Sequence, residues 1–224
     1  MSQTSEMVMR NLLIVWTDFE SRLNTVPILK KLANGRFSIE DYKELLINHR
    51  QQVVEGSRWI SRAASSISSD EYLDLRSTFL QHSATEHRDY EMLERQYVEV
   101  GGKLDDIRSA PKNLGTEVFH SYMFQQSSME NPFQLLGSMF IIEGLGQRKA
   151  KSWGIDIKEQ LHLSDAAVEF YIYHGDNDPH HMEEFDKALN SGILEIPGMG
   201  EKVIKTAKIT ALLYEMQLRE IGNY

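Results

Sequence analysis

Between Tyr171 and Glu184 the chain reads YIYHGDNDPHHMEE. His174, Asp178 and His181 stand at i, i+4 and i+7. On a helix of about 3.6 residues per turn those three share one face. Imidazoles and carboxylates converging from one face suit a divalent iron, manganese or zinc ion. Asp176, His180, Glu183 and Glu184 crowd the same stretch. Pro179 disfavours the α conformation at Asp178, so the pattern predicts a kink or a break there. A break would make Asp178 an N-cap instead of a ligand.

A second group repeats the spacing. His82, Glu86 and Asp89 are again at i, i+4 and i+7, whereas His87 points elsewhere by the same arithmetic. A third candidate is Glu143, the only charge in GSMFIIEGLG. An ionised carboxylate in so apolar a setting needs a proton or a cation, from an arginine or from a metal. His49 lies on the apolar stripe of its own helix and reads as a satisfied core histidine.

These residues must be positioned by helices. Pro27 suits the first turn of a short helix ending near Asn34–Gly35. Ser38 and Asp41 form a capping box for a helix to about Ser66, whose buried stripe runs from Tyr42 through Val53 to Ala63. Ser68, Ser69 and Asp70 start a long helix that Gly101–Gly102 ends near Val100. Lys103–Asn113 reads as a loop. Thr116–Ser128 reads as a short helix, and a further helix opens at Asn131–Pro132 and is ended by Gly154. Ser164 or Asp165 caps the helix that carries His174, and a final helix runs from about Glu201 to Ile221. No β-strand or repeat is evident. The expectation is an all-α fold, a single-domain bundle of about seven to nine helices over residues 1–224.

Bulk properties narrow the function. The 224 residues suffice for one sizeable core. A net charge of −9 argues against nucleic acid and anionic membranes as partners. There are no cysteines, which removes disulfides, thiolate metal sites and cysteine nucleophiles. No apolar run approaches the roughly 20 residues that span a bilayer, and the short run at Asn11–Trp16 is followed at once by acids. A cytoplasmic location is expected.

Collected, His82, Glu86, Asp89, Glu143, His174, Asp178 and His181 supply four carboxylates and three imidazoles from three or four helices. Dinuclear carboxylate sites in bundles need about this set. Here Glu86-x-x-Asp89 and Asp178-x-x-His181 stand beside Glu143 and His174, although the first pair ends in an acid where a histidine is usual. Oxygen and imidazole donors without sulfur favour iron, with manganese possible, over zinc.

HSATEHRD ahead of Gly101–Gly102, LLGSMFIIEGLG and YHGDNDPHH together resemble the haem-oxygenase-like superfamily, specifically its non-haem diiron oxidase and oxygenase branch. The likeness spans most of the chain, and the His-x3-Asp-x2-His ending is its most specific piece. It implies ligands at Glu143, His174, Asp178 and His181. The helix at 82–89 departs from the pattern, with His82 where a glutamate is expected and Asp89 where a histidine is expected. The departure implies a rearranged ligand set, or a second iron site that is weak or lost. The implied activity is oxidation of a small organic substrate by dioxygen at two iron ions. His82 would then be a nitrogen donor, Glu86 and Glu143 bridging or neutralising acids, and Asp89 a terminal carboxylate. A homodimer is compatible with such a fold. Thiaminase-like relatives need a cysteine that is absent. True haem oxygenases carry a first-helix histidine, also absent. A metal-free oxidase resembling the pyrroloquinoline quinone synthases, with contributions from Tyr122, Tyr171, Tyr173, Arg148 and Lys151, is the alternative. So is a metal-binding protein without catalysis on the same scaffold.

Overall fold

A computed structural model describes residues 3–222, apart from the side chains of residue 3 and residues 177–181. Eleven α-helices and no strand occur among the described residues: α1 (Gln3–Leu23), α2 (Pro27–Ala33), α3 (Ile39–Ser65), α4 (Leu73–Glu86), α5 (Tyr90–Glu99), α6 (Leu104–Ser109), α7 (Leu114–Ser127), α8 (Leu136–Leu145), α9 (Lys151–Leu161), α10 (Glu169–Leu189) and α11 (Met199–Arg219). The all-α expectation holds. No described helix is long and apolar enough to cross a membrane.

Several helix starts are written locally. Pro27 opens α2 at a position whose N–H has no intrahelical partner to lose. Ser38 and Asp41 close the expected capping box on α3, each side chain accepting the other's backbone N–H. Ser164 accepts from the Ala167 N–H and shapes the short turn that leads into α10.

Four expectations fail, each for a physical reason. The long helix expected over Asp70–Val100 is two helices, because the chain turns at residues 87–89. The loop expected over Lys103–Asn113 contains α6, and Asn113 caps α7 by accepting from the Thr116 N–H. Gly154 ends nothing: α8, a π-helical segment (Gly146–Ala150) and α9 form one continuous rod. A Cβ at Gly154 would lie 2.8 Å from the Cβ of Tyr171, so this glycine serves a close helix crossing instead of a cap. The break expected at Pro179 is also absent, since α10 continues to Leu189. Asp178 therefore sits inside a helix and caps none.

Two sets of packed helices frame the interior. α11 lies against α1, α7 and α8, while α3 lies against α4, α5 and α7. α10 bridges them, packing on α8, α9 and the π-helical segment along one side and meeting α4 and α5 on another. Tyr42, Phe119, Phe140, Tyr171 and Phe185 are fully buried where these helices converge. Burying each such ring contributes roughly 1.5–3 kcal/mol.

Candidate metal centre

The crossing of α10 with the α8–α9 rod is close because of two glycines. Beside Gly154, Gly175 approaches Lys151 so tightly that a Cβ there would lie 2.5 Å from the Lys151 Cβ and 2.9 Å from its backbone nitrogen. Gly175 is the neighbour of His174, so this contact fixes where His174 enters the interior.

His174 Nδ1 lies 2.9 Å from the Phe170 carbonyl oxygen, one turn earlier on α10. A carbonyl only accepts, so Nδ1 carries the proton and donates it. Nε2 then faces the other way, 3.3 Å from Asp89 Oδ2 and 3.9 Å from Glu86 Oε2. Glu86, Asp89 and His174 each offer a ligand atom, and these atoms lie within 4.8 Å of one another. The turn at residues 87–89 makes this possible. It ends α4 at Glu86 and starts α5 just after Asp89, whose side chain caps nothing and reaches α10 instead.

His82 and Glu143 belong to a neighbouring group. His82 Nε2 is 3.3 Å from Glu143 Oε1, and its Nδ1 is 3.4 Å from Glu184 Oε2. Glu143 is only 8 % exposed. Burial alone would lower the His82 pKa. Hydrogen bonds to Glu143 and Glu184, with the charges of Glu143 and Glu86, overcome it and hold the ring's pKa up at about 10. Without a metal, His82 is an imidazolium between two acids. The cation that Glu143 needs is thus His82 in this structure, not an arginine.

Of the seven candidates, Glu86, Asp89 and His174 converge, and His82 and Glu143 pair beside them. The side chains of Asp178 and His181 lie outside the described residues. Glu184 was not among the candidates. The stripe through His174 and His181, continued by one more turn, reaches it, and a longer reading of the same periodicity would have found it. The single-face arrangement expected for His82, Glu86 and Asp89 does not form, because the turn after Glu86 swings Asp89 out of register with His82.

His82, Glu86, Glu143 and His174 line one cavity, which holds about 810 Å³ of empty space including its open mouth. Trp59, Phe119, Trp153 and Phe170 give the rest of its wall a largely aromatic character. Gly146 and Ala150 of the π-helical segment also face it, in keeping with the frequent use of π-turns at functional sites. His49 lines the cavity too and is not the satisfied core residue expected: its Nδ1 meets the Tyr171 hydroxyl at 2.7 Å, while its Nε2 is buried without a partner. Arg148 lies over the Trp16 ring, and Lys151 pairs with Asp176 on the surface.

No protein-family model matches the chain, and no curated protein matches it. Solved structures do. A domain of unknown function with a heme oxygenase-like fold from Shewanella denitrificans OS217 superposes with a TM-score of 0.83 at 18 % identity, covering 94 % of this chain and 89 % of that one. A TenA homolog from Pseudomonas syringae pv. tomato DC3000 superposes with a TM-score of 0.77 at 9 % identity, covering 97 % and 93 %. The chain has a haem-oxygenase-like fold.

Proposed function

We propose that the chain is a non-haem iron oxidoreductase that uses dioxygen on a small organic substrate held in the cavity. The observation that carries this reading is the convergence of Glu86, Asp89 and His174 from three helices. His174 Nε2 has its proton placed on the opposite nitrogen by Phe170, so its lone pair faces two carboxylates. Such an array is repulsive unless a proton or a cation lies within it. One imidazole and two carboxylates are donors that suit iron or manganese.

Bound Fe(II) supplies the electrons with which dioxygen can react with an ordinary organic molecule. The protein's own contributions are separate. Glu86 and Asp89 offset the charge of the ion, and the Phe170 carbonyl orients the His174 ring, as outer partners of metal-bound histidines commonly do. The aromatic wall keeps bulk water from the reacting centre. His82 holds a proton beside Glu143. A second ion in a dinuclear centre has to displace that proton, so the geometry favours occupation of the Glu86–Asp89–His174 group first.

His82 motivates a second reading. Because an imidazolium already neutralises Glu143, a metal-free protein that binds its ligand next to this proton is self-consistent, as for the pyrroloquinoline quinone synthase relatives. Anaerobic titration with Fe(II), metal analysis after desalting and admission of oxygen separate the two. Retained iron with oxygen uptake supports the iron enzyme. A protein that retains neither iron nor manganese removes it.

A further inference from the structure

His49 is 4 % exposed and lines the cavity from α3. Its ring is held from one side only, by the Tyr171 hydroxyl at Nδ1. That hydroxyl has no other acceptor among the described residues, so it donates to Nδ1. A neutral imidazole whose Nδ1 accepts carries its proton on Nε2. The buried, unpartnered Nε2 is therefore an N–H donor. The ring stays neutral: burial, then the nearby His174, lowers its pKa to about 4. An orphaned buried donor of this kind costs about 1–3 kcal/mol unless a ligand or water meets it.

Gln52, one turn further along α3, lines the same cavity. Its Oε1 accepts from the Gln217 side-chain amide, which leaves its own NH2 as a donor. Two neutral donors thus stand in a wall otherwise built of Trp59, Phe119 and Phe170. The acids Glu86 and Glu143 line the same cavity.

We propose that His49 Nε2–H and the Gln52 amide bind the acceptor group, a carboxylate or carbonyl oxygen, of an aromatic or similarly apolar substrate whose remaining body fills the cavity. Tyr171 is the positioning residue that sets the His49 tautomer. The inference names the substrate class for the oxidoreductase reading and rests on that reading for the chemistry, but not for the binding.

The test uses metal-free full-length protein and two probes of equal shape, 3-phenylpropanoate and n-butylbenzene, with affinities read from tryptophan fluorescence. The wild type should bind the carboxylate more tightly than the hydrocarbon by roughly threefold to tenfold, the worth of a net hydrogen bond. His49→Phe should abolish that preference while still binding the hydrocarbon. Long-range 1H–15N spectra should show His49 as the Nε2–H tautomer, its Nε2 signal moving on addition of 3-phenylpropanoate and not of butylbenzene. Tyr171→Phe should mix the two tautomers and weaken the preference. Equal affinities in the wild type, no binding of either probe at millimolar concentration, or a preference that survives in His49→Phe would overturn the proposal. Iron retention by the wild type, measured in parallel, decides the oxidoreductase reading independently.

Discussion

The Phe170 carbonyl and the His174 ring are joined by a 2.9 Å hydrogen bond within α10, and this bond decides which nitrogen of His174 faces Asp89. A backbone group thereby sets the chemistry of a side chain. It cannot be removed by a side-chain substitution, so the orientation of His174 depends on the helix itself.

His174→Ala and Asp89→Ala should each leave the circular dichroism of the protein unchanged and weaken Fe(II) binding. The loss should exceed the roughly 10–100-fold that outer partners of a metal site contribute. Calorimetric titration under argon measures it. Retention of wild-type affinity in both variants would show that the ion, if any, is held elsewhere.

The metal-free protein should become less stable as alkalinity rises. His82 has a folded pKa of about 10 against an ordinary value of 6.5, so the folded state binds more protons between those values. This contribution is complete below about pH 6.5 and disappears as pH passes through about 10. Glu143→Gln should flatten that part of the profile and destabilise the metal-free protein by on the order of 3 kcal/mol at pH 7, as when a buried ion pair loses one member. Urea melts at several pH values provide the comparison.

Gly175→Ala should lower stability by about 1–3 kcal/mol, even though alanine is the better helix former. The added methyl meets both the Cβ and the backbone nitrogen of Lys151, and a backbone cannot move aside as a flexible side chain can. Because His174 is adjacent, iron binding should weaken as well. A thermal melt together with an iron titration would show whether the two effects travel together.

Glu94 accepts hydrogen bonds from both Arg50 and Arg108 and is almost fully buried. Burial raises its pKa, but the two guanidinium groups prevail and hold it below the ordinary glutamate value. Its stabilisation is present above that ordinary value and is lost as pH falls through the lowered one. Glu94→Gln should destabilise the fold by about 3 kcal/mol without changing metal content; an equal loss of iron would tie this network to the site.

Much of the scaffold was legible because its signals are local. The Ser38–Asp41 box and Pro27 act within one turn of themselves, and the lone charge of Glu143 in an apolar run can be read without knowing its partner. What was not legible depends on other helices. Nothing between Leu73 and Glu99 marks the turn at residues 87–89, which contains neither proline nor glycine, yet that turn separates His82 from Asp89. Gly154 carries the same letter as a C-cap glycine, and only Tyr171 across the interface reveals its use. The orphaned nitrogen of His49 likewise becomes visible only once Tyr171 is seen to occupy the other one.

The wide turn at Gly146–Ala150 sets the phase of everything after it. Removing one residue there would let α8 run into α9 as a regular helix, but would rotate the downstream half by about 100°. Gly154 would then no longer face Tyr171, and a bulkier residue would occupy the crossing. In this stretch a change of chain length by one should therefore be less tolerable than most changes of residue type.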